Sequence, residues 1–486
     1  MLKLRDTSLL REQVLVAGEW VGADSGATIE VRDPANGELV GTVPKCGAAE
    51  TRRAIAAAEQ AQRGWAQTPA KERAAVLRRL NDLMLANQDD LALIMTREQG
   101  KPLAEAKGEI AYAASFIEWF SEEARRIYGD TIPAPLRDRR ILALKQPVGV
   151  TAAITPWNFP TAMITRKAGP ALAAGCSMVV KPATQTPLSA LAFAELANRA
   201  GLPKGLLSVL TGPASAIGGE LTSNPTVRKI SFTGSTEVGR TLMRQSADTV
   251  KKLSFELGGN APFFVFDDAD LDAAADGAII SKYRNTGQTC VCANRLYVQR
   301  GVLAAFADKL VAKVRELKVG PGTEPGVTQG PLIDDKALAK VEEHVADALA
   351  KGAKVLTGGR RHALGGRFYE PTVIVGARAD MLMAREETFG PVAPLFPFDD
   401  EEEVIRLAND TEFGLASYFY TRSLGRALRV AERLESGMVG VNTGLISTTE
   451  APFGGVKQSG LGREGSKYGI DEYLEIKYVC LAGLDG

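Results

Sequence analysis

Residues 281–295, Ser-Lys-Tyr-Arg-Asn-Thr-Gly-Gln-Thr-Cys-Val-Cys-Ala-Asn-Arg, hold the group best suited to covalent chemistry. An alanine-rich helical segment meets a stop signal at Gly287, and Cys290 follows on a turn before the apolar run Leu296-Tyr297-Val298. A thiol exposed on such a turn is placed to be a nucleophile. Little of it is thiolate near neutral pH, but the thiolate is highly reactive. A lone cysteine is more often a small buried hydrophobe. A second stretch, Phe255-Glu256-Leu257-Gly258-Gly259-Asn260, shifts the balance towards chemistry. It sets one carboxylate in an apolar strand end before two glycines. A carboxylate among apolar neighbours has a raised pKa, as a general base working near neutrality requires.

The elements that must position these groups follow a regular rhythm. Strands are expected at Val148–Thr155, Met178–Val180, Leu207–Leu210 and Lys229–Thr233, with helices at 161–174, 187–200, up to 222, and 236–246. That alternation predicts a parallel sheet covered on both faces, with ligands at the carboxyl ends of its strands. A second α/β run spans 261 to about 440. Before them, 14–43 reads as short strands and 48–128 as helices, two of them separated by Gly100 and Pro102. Residues 131–150 differ. Ile141-Leu142-Ala143-Leu144 follows a charged turn and suggests a hairpin arm, and an exposed apolar hairpin calls for a partner.

Composition excludes several classes of function. The 486 residues carry 58 basic and 58 acidic side chains, so no basic footprint for nucleic acid or an anionic membrane exists. The longest uncharged stretch, 146–165, contains Pro147, Pro156 and Pro160 and is too broken to span a bilayer. The first residues lack the apolar core of a signal peptide. Five scattered cysteines do not make a disulfide framework, and two histidines, His344 and His362, offer no metal-ligand spacing. No metal is expected, and a cytoplasmic location is. No Gly-Lys-Ser or Gly-Lys-Thr is present, which disfavours a P-loop nucleotidase.

Glu-Leu-Gly-Gly-Asn at 256–260 followed by Gly-Gln-Thr-Cys at 287–290 resembles the aldehyde dehydrogenase superfamily, and further matches extend over nearly the whole chain. The resemblance implies an α/β fold with a Rossmann-like cofactor domain (1–130 and 151–260), an α/β catalytic domain (261–440) and a small β oligomerisation arm (131–150 and 471–486). It implies a homo-oligomer, dimer or tetramer. It also assigns roles. Cys290 attacks an aldehyde, and Asn158 of Pro156-Trp157-Asn158-Phe159-Pro160 holds the oxyanion with the Cys290 N–H. Glu256 then activates the water that hydrolyses the thioester.

Several stretches match cofactor positions of the family. Ile230 to Gly239 is a strand, a glycine turn and a helix start, a ready anion site at Gly234 and Ser235. It is not Gly-x-Gly-x-x-Gly, and a plain turn would look similar. Lys181 and Thr184 of Lys-Pro-Ala-Thr lie where the family holds the adenosine ribose. NAD-preferring members often carry glutamate at the Thr184 position, and without it nothing repels a 2′-phosphate. NADP is therefore expected as the preferred cofactor, with NAD accepted. By the same resemblance Glu387 holds the nicotinamide ribose, Phe389 packs beside it, and Trp157 and Leu257 line the cofactor.

Arg166, Arg284 and Ser447 match the pattern of succinate-semialdehyde dehydrogenases, enzymes of 4-aminobutyrate degradation. Two guanidinium groups and a hydroxyl could grip the far carboxylate of a short aldehyde. Succinate semialdehyde is the expected substrate. Glutarate semialdehyde, or a broader range of short aldehydes, is the alternative. Cys292, two residues from Cys290, could simply pack, or it could close a strained bridge serving as a redox switch.

Overall fold

The computed structural model describes residues 2–484. Eight strands form the larger sheet. Its parallel centre runs Leu207–Val209, Ser177–Lys181, Val150–Ile154, Val227–Thr233, Lys252–Glu256. The chain moves outward from Val150–Ile154 to Leu207–Val209. It then returns to lay Val227–Thr233 on the opposite side of the first strand. The crevice at such a reversal is where open α/β sheets take their ligands. Register aligns the carboxyl ends, with Ile154 opposite Lys181 and Phe232, and Thr233 opposite Glu256. The segments bearing Asn158, Lys181, Gly234 and Glu256 therefore leave the sheet along one edge. The strands Val150–Ile154 and Ser177–Lys181 are almost wholly buried, which explains their near-continuous apolar sequence.

The two flanks of this sheet are antiparallel. A hairpin, Val14–Val16 with Glu19–Val21, extends one side. Gly460–Leu461 pairs with Phe255 and Glu256 on the other. The latter comes from beyond residue 440 and brings the C-terminal part of the chain against the carboxylate strand.

A second, seven-stranded sheet has Ala293–Gln299 at its centre, flanked by Val392–Phe398 and Ala261–Val265, and Ala416–Tyr420 lies beyond the latter. All its pairings are parallel except that of Lys354–Thr357 at one edge. Phe264, Phe266, Phe398 and Phe419 pack one of its faces, mostly edge to face, the favoured geometry for aromatic pairs.

The helix Ala162–Ala174 is buried at every position, Arg166 and Lys167 included. It lies against the helix Leu103–Glu123, and a Cβ at Gly169 would meet the Phe120 ring at 3.1 Å, so a small residue sets this approach. The arm is a three-stranded sheet in which Arg140–Pro147 lies between Asp130–Ile132 and Leu474–Leu481. It is shorter than the expected 131–150, because Val150 already begins the large sheet. Residues 485–486 of the expected arm lie outside the described residues. Among the described residues no helix is long and apolar enough to cross a membrane.

Candidate active site

The loop before Cys290 owes its shape to three consecutive left-handed residues, Asn285, Thr286 and Gly287, with φ of 51°, 57° and 75°. Asparagine and glycine tolerate this region; a β-branched threonine does so only under strain. The surroundings hold it there. Asn285 donates through Nδ2 to the Asn158 and Gln288 carbonyls, at 3.0 and 3.2 Å. Its Oδ1 accepts from Gln99 and its N–H donates to Glu105. A Cβ on Gly259 would stand 2.5 Å from the Cys290 carbonyl oxygen, and one on Gly287 would overlap the Gly390 carbonyl. The glycines of the Glu256 and Cys290 motifs and of the Glu387–Pro391 stretch thus let three loops close on one another.

Cys290 is half-buried, not exposed as the turn alone suggests. Burial pushes its thiol up to about 12, against the opposing Arg166 charge. The resting side chain is therefore a thiol, and a base must take its proton. Glu256 suits that role. It is 3% exposed at the end of its strand, and neither carboxylate oxygen has a hydrogen-bond partner. Burial, then the neighbouring Glu464 charge, raises its pKa well above the ordinary carboxylate value, while Arg166, Lys167 and Arg463 oppose the shift. One expected result follows from the thiol. Inactivation of the cofactor-free protein by iodoacetamide accelerates about tenfold per pH unit from 7 to 10 without levelling, since thiolate is the reactive form. A plateau below pH 9, followed by residual activity against time, contradicts this.

Asn158 follows the strand Val150–Ile154. Its Nδ2 donates to the Gln288 carbonyl at 3.1 Å, and its Oδ1 is buried without a partner. Behind it lies a network that the sequence did not signal. Buried Lys101 bonds Glu109 at 2.5 Å and the Asn158 carbonyl at 2.7 Å. Glu109 accepts from the Thr161 and Ala162 N–H groups, so one carboxylate ties down the lysine and the first amides of the next helix. In sequence Lys101 looks like an ordinary charge in a helix break and Glu109 like one on a helix surface. Only the fold buries them.

The expected cofactor positions converge along the carboxyl edge of the large sheet. Ser235 caps the helix Thr236–Ser246 by accepting from the Val238 N–H. At Gly234 a Cβ would strike the Phe232 ring, and Gly239 lets the helix settle on Leu257, whose methyl would lie 2.6 Å from an added Cβ. Lys181 is buried, with no carboxylate paired to it among the described residues, and burial lowers its pKa to about 8. Thr184 is exposed three residues on. Glu387 is half-buried with Oε1 unpartnered, and burial pushes it up to about 8 against the Lys340 charge. Phe389, at φ 54°, sets its ring edge-on to Trp157 at 5.6 Å. A buried unpaired ammonium, a carboxylate with one unpartnered oxygen and a helix N-terminus fit the phosphates and ribose hydroxyls of a dinucleotide.

The three expected carboxylate ligands do not occupy equivalent places. Arg166 is fully buried between Phe453 and Phe116, and its Nε lies 2.7 Å from Glu464 Oε2. That contact is an ion pair out of line for a hydrogen bond, and Nη2 has no partner. Glu464 also pairs with Lys167, which bonds Thr233 Oγ1 at 2.6 Å. The charge of Arg166 is therefore already met inside the protein, which corrects the picture of two free guanidinium groups. Glu464 stands almost three hundred residues from Arg166 in sequence, so no local pattern signals the pair. Arg284 is different. Among the described residues it forms no ion pair, rests 4.8 Å over the Phe159 ring, and lines a cavity of about 300 Å³ with Ser447. Cys292 is buried, its thiol 3.5 Å from the Lys282 carbonyl, and both it and Cys290 are free thiols.

The aldehyde dehydrogenase family profile matches residues 20–479. A glutarate-semialdehyde dehydrogenase of Pseudomonas aeruginosa is 69% identical over 99% of this chain and 100% of its own. The succinate-semialdehyde dehydrogenase [NADP(+)] of Escherichia coli is 65% identical, with the same coverage of each chain. Among solved structures, the succinate-semialdehyde dehydrogenase of Burkholderia pseudomallei superposes with a TM-score of 0.98 at 69% identity, covering 99% of this chain and 100% of the other. By the matching profile and by relatives of this identity and coverage, the chain belongs to the aldehyde dehydrogenase family.

Proposed function

We propose that this aldehyde dehydrogenase oxidises succinate semialdehyde to succinate, with NADP preferred and NAD accepted. The observation that carries the substrate reading is Arg284. It is a guanidinium that forms no ion pair among the described residues, in one cavity with Ser447, six residues before Cys290. A half-buried guanidinium in no ion pair is suited to a charge-assisted bond, and a substrate carboxylate would meet it. For the cofactor, Lys181 without a carboxylate partner and Thr184 beside it leave room for a 2′-phosphate.

In this reading the Cys290 sulfur attacks the aldehyde carbon and its proton passes to Glu256. The Asn158 amide and the Cys290 N–H hold the oxyanion. Lys181, Glu387, Gly234, Ser235, Leu257, Trp157 and Phe389 would hold the dinucleotide, which when bound supplies the hydride acceptor. The carbon is then a thioester on Cys290. After Glu256 has released the thiol proton to solvent, it takes a proton from water, the water oxygen attacks that carbon, and the Cys290 thiolate leaves and regains a proton from Glu256 as the acid is released. Cys292 is the proposed partner of Cys290 in a reversible oxidative switch. The arm, with Ile476 and Tyr478 exposed at 74% and 65%, is the proposed contact with a second copy.

Glutarate semialdehyde is the second reading, favoured by the relative of that name at 69% identity. One methylene changes selectivity by only about 1–3 kcal/mol. The test is the initial rate of reduced-nicotinamide formation with succinate semialdehyde, glutarate semialdehyde and hexanal, each with NADP and with NAD. A charge-assisted bond to Arg284 should favour the semialdehydes over hexanal by at least about tenfold in kcat/KM. Hexanal turned over as well as succinate semialdehyde overturns the carboxylate reading, and a tenfold preference for NAD overturns the cofactor reading.

A further inference from the structure

Tyr112 lies on the helix Leu103–Glu123, in the wall of the 300 Å³ cavity that contains Arg284 and Ser447. Its hydroxyl is shielded from solvent and has no hydrogen-bond partner. Buried hydroxyls are rarely left so, and this one belongs to a residue of the cavity wall. The ring cannot easily turn away. It stands edge-on to Phe116 with centroids 4.9 Å apart, and Phe116 in turn faces the Arg166 guanidinium at 5.7 Å.

We infer that Tyr112 is a further ligand of the substrate's far carboxylate, donating its O–H to an oxygen that Arg284 and Ser447 hold from the other side. This rests on the carboxylated-aldehyde reading above and extends it.

Charge supports the assignment. Arg166 is met by Glu464, and Lys101 by Glu109. Glu105 also lines the cavity, accepts from the Asn285 N–H, and is driven by burial towards its uncharged form. One guanidinium is then left for one carboxylate. A carboxylate offers more acceptor sites than Arg284 alone fills, and a tyrosine supplies a donor without adding charge. The helix is spaced for the task. Glu105, Gly108, Glu109 and Tyr112 recur every three or four residues and share one face, all lining the cavity. A Cβ at Gly108 would meet nothing within 4 Å, so the glycine keeps the space beside Tyr112 open.

The test uses Tyr112→Phe, which removes the hydroxyl and keeps the ring. Steady-state constants are measured for succinate semialdehyde and for butanal, its uncharged four-carbon counterpart. Product inhibition by succinate serves as a binding readout. The expected result is a KM for succinate semialdehyde raised about tenfold or more with kcat within about a factor of three, as loss of a binding contact gives. The succinate inhibition constant rises in parallel, and the selectivity ratio over butanal falls by the same factor. Losses equal for both aldehydes mean a structural role and overturn the inference. So does an unchanged KM in a wild type that prefers succinate semialdehyde. A wild type with no preference over butanal instead overturns the carboxylate reading on which the inference depends.

Discussion

Replacing Cys290 with alanine removes aldehyde oxidation, with turnover falling by at least about 10⁴-fold, as loss of a covalent nucleophile typically does. No other thiol can substitute. Cys292 is buried and turned to the Lys282 carbonyl, Cys46 and Cys176 are in the core, and Cys480 is on the arm. The fold should survive, because only one half-buried sulfur is lost, at about 1 kcal/mol or less. Dinucleotide binding should also survive, because Lys181, Ser235 and Glu387 stand on other segments of the chain. The checks are stopped-flow turnover and fluorescence titration with NADP. Turnover within tenfold of wild type would remove Cys290 from the mechanism. Lost turnover together with lost NADP binding would instead indicate collapse of the loop.

Glu256→Gln is expected to lower turnover by about 10²–10⁴-fold, the range for removal of a general base. Shape and volume are retained, so the loss reports chemistry. The same change should raise stability at alkaline pH. Glu256 has a folded pKa well above its ordinary 4.5, so the native state binds its proton more tightly than the unfolded chain does. Its favourable contribution is complete below pH 4.5 and is lost as pH rises through the folded value. Glutamine does not ionise and escapes that loss. Urea unfolding of both proteins from pH 5 to 9 should show the variant gaining on wild type as pH rises. A variant that turns over within tenfold of wild type would disprove the role of Glu256 as base. A stability difference independent of pH would show that burial does not raise the Glu256 pKa in the folded protein.

Opposite effects of one substitution on rate and stability are what a functional site in a low-dielectric setting produces. The carboxylate is kept buried and unbonded, costly for folding and useful for proton transfer. Burial likewise shifts Lys181, and it shifts Glu387 against the Lys340 charge and a bond from the Gly259 N–H.

Much of this arrangement was legible in the sequence because its signals are local. The alternation of strands and helices from Val148 to Ser246 follows from residue periodicity and agrees with the observed elements to within about two residues. The glycines at 234, 258, 259 and 287 mark close approaches, and Glu256 stands out as a charge in an apolar strand end. Burial and long-range pairing are not local. The turn at Gly287 suggests an exposed Cys290, but packing of the Glu387–Pro391 stretch against it makes the thiol half-buried and raises its pKa. Arg166 reads as a free cation, yet it is neutralised by Glu464, which sequence distance hides and the Gly460–Leu461 pairing brings near. Lys101, Glu109 and Asn285 carry no signature of their own, and only the docking of their helices and loop beneath Asn158 gives them a task. Local sequence signals suffice for the proposed reacting groups and for the sheet that carries them. The tertiary structure decided which charges are spent inside the protein and which remain for a substrate, because a charge's partner is set by three-dimensional proximity and its pKa by the surrounding dielectric.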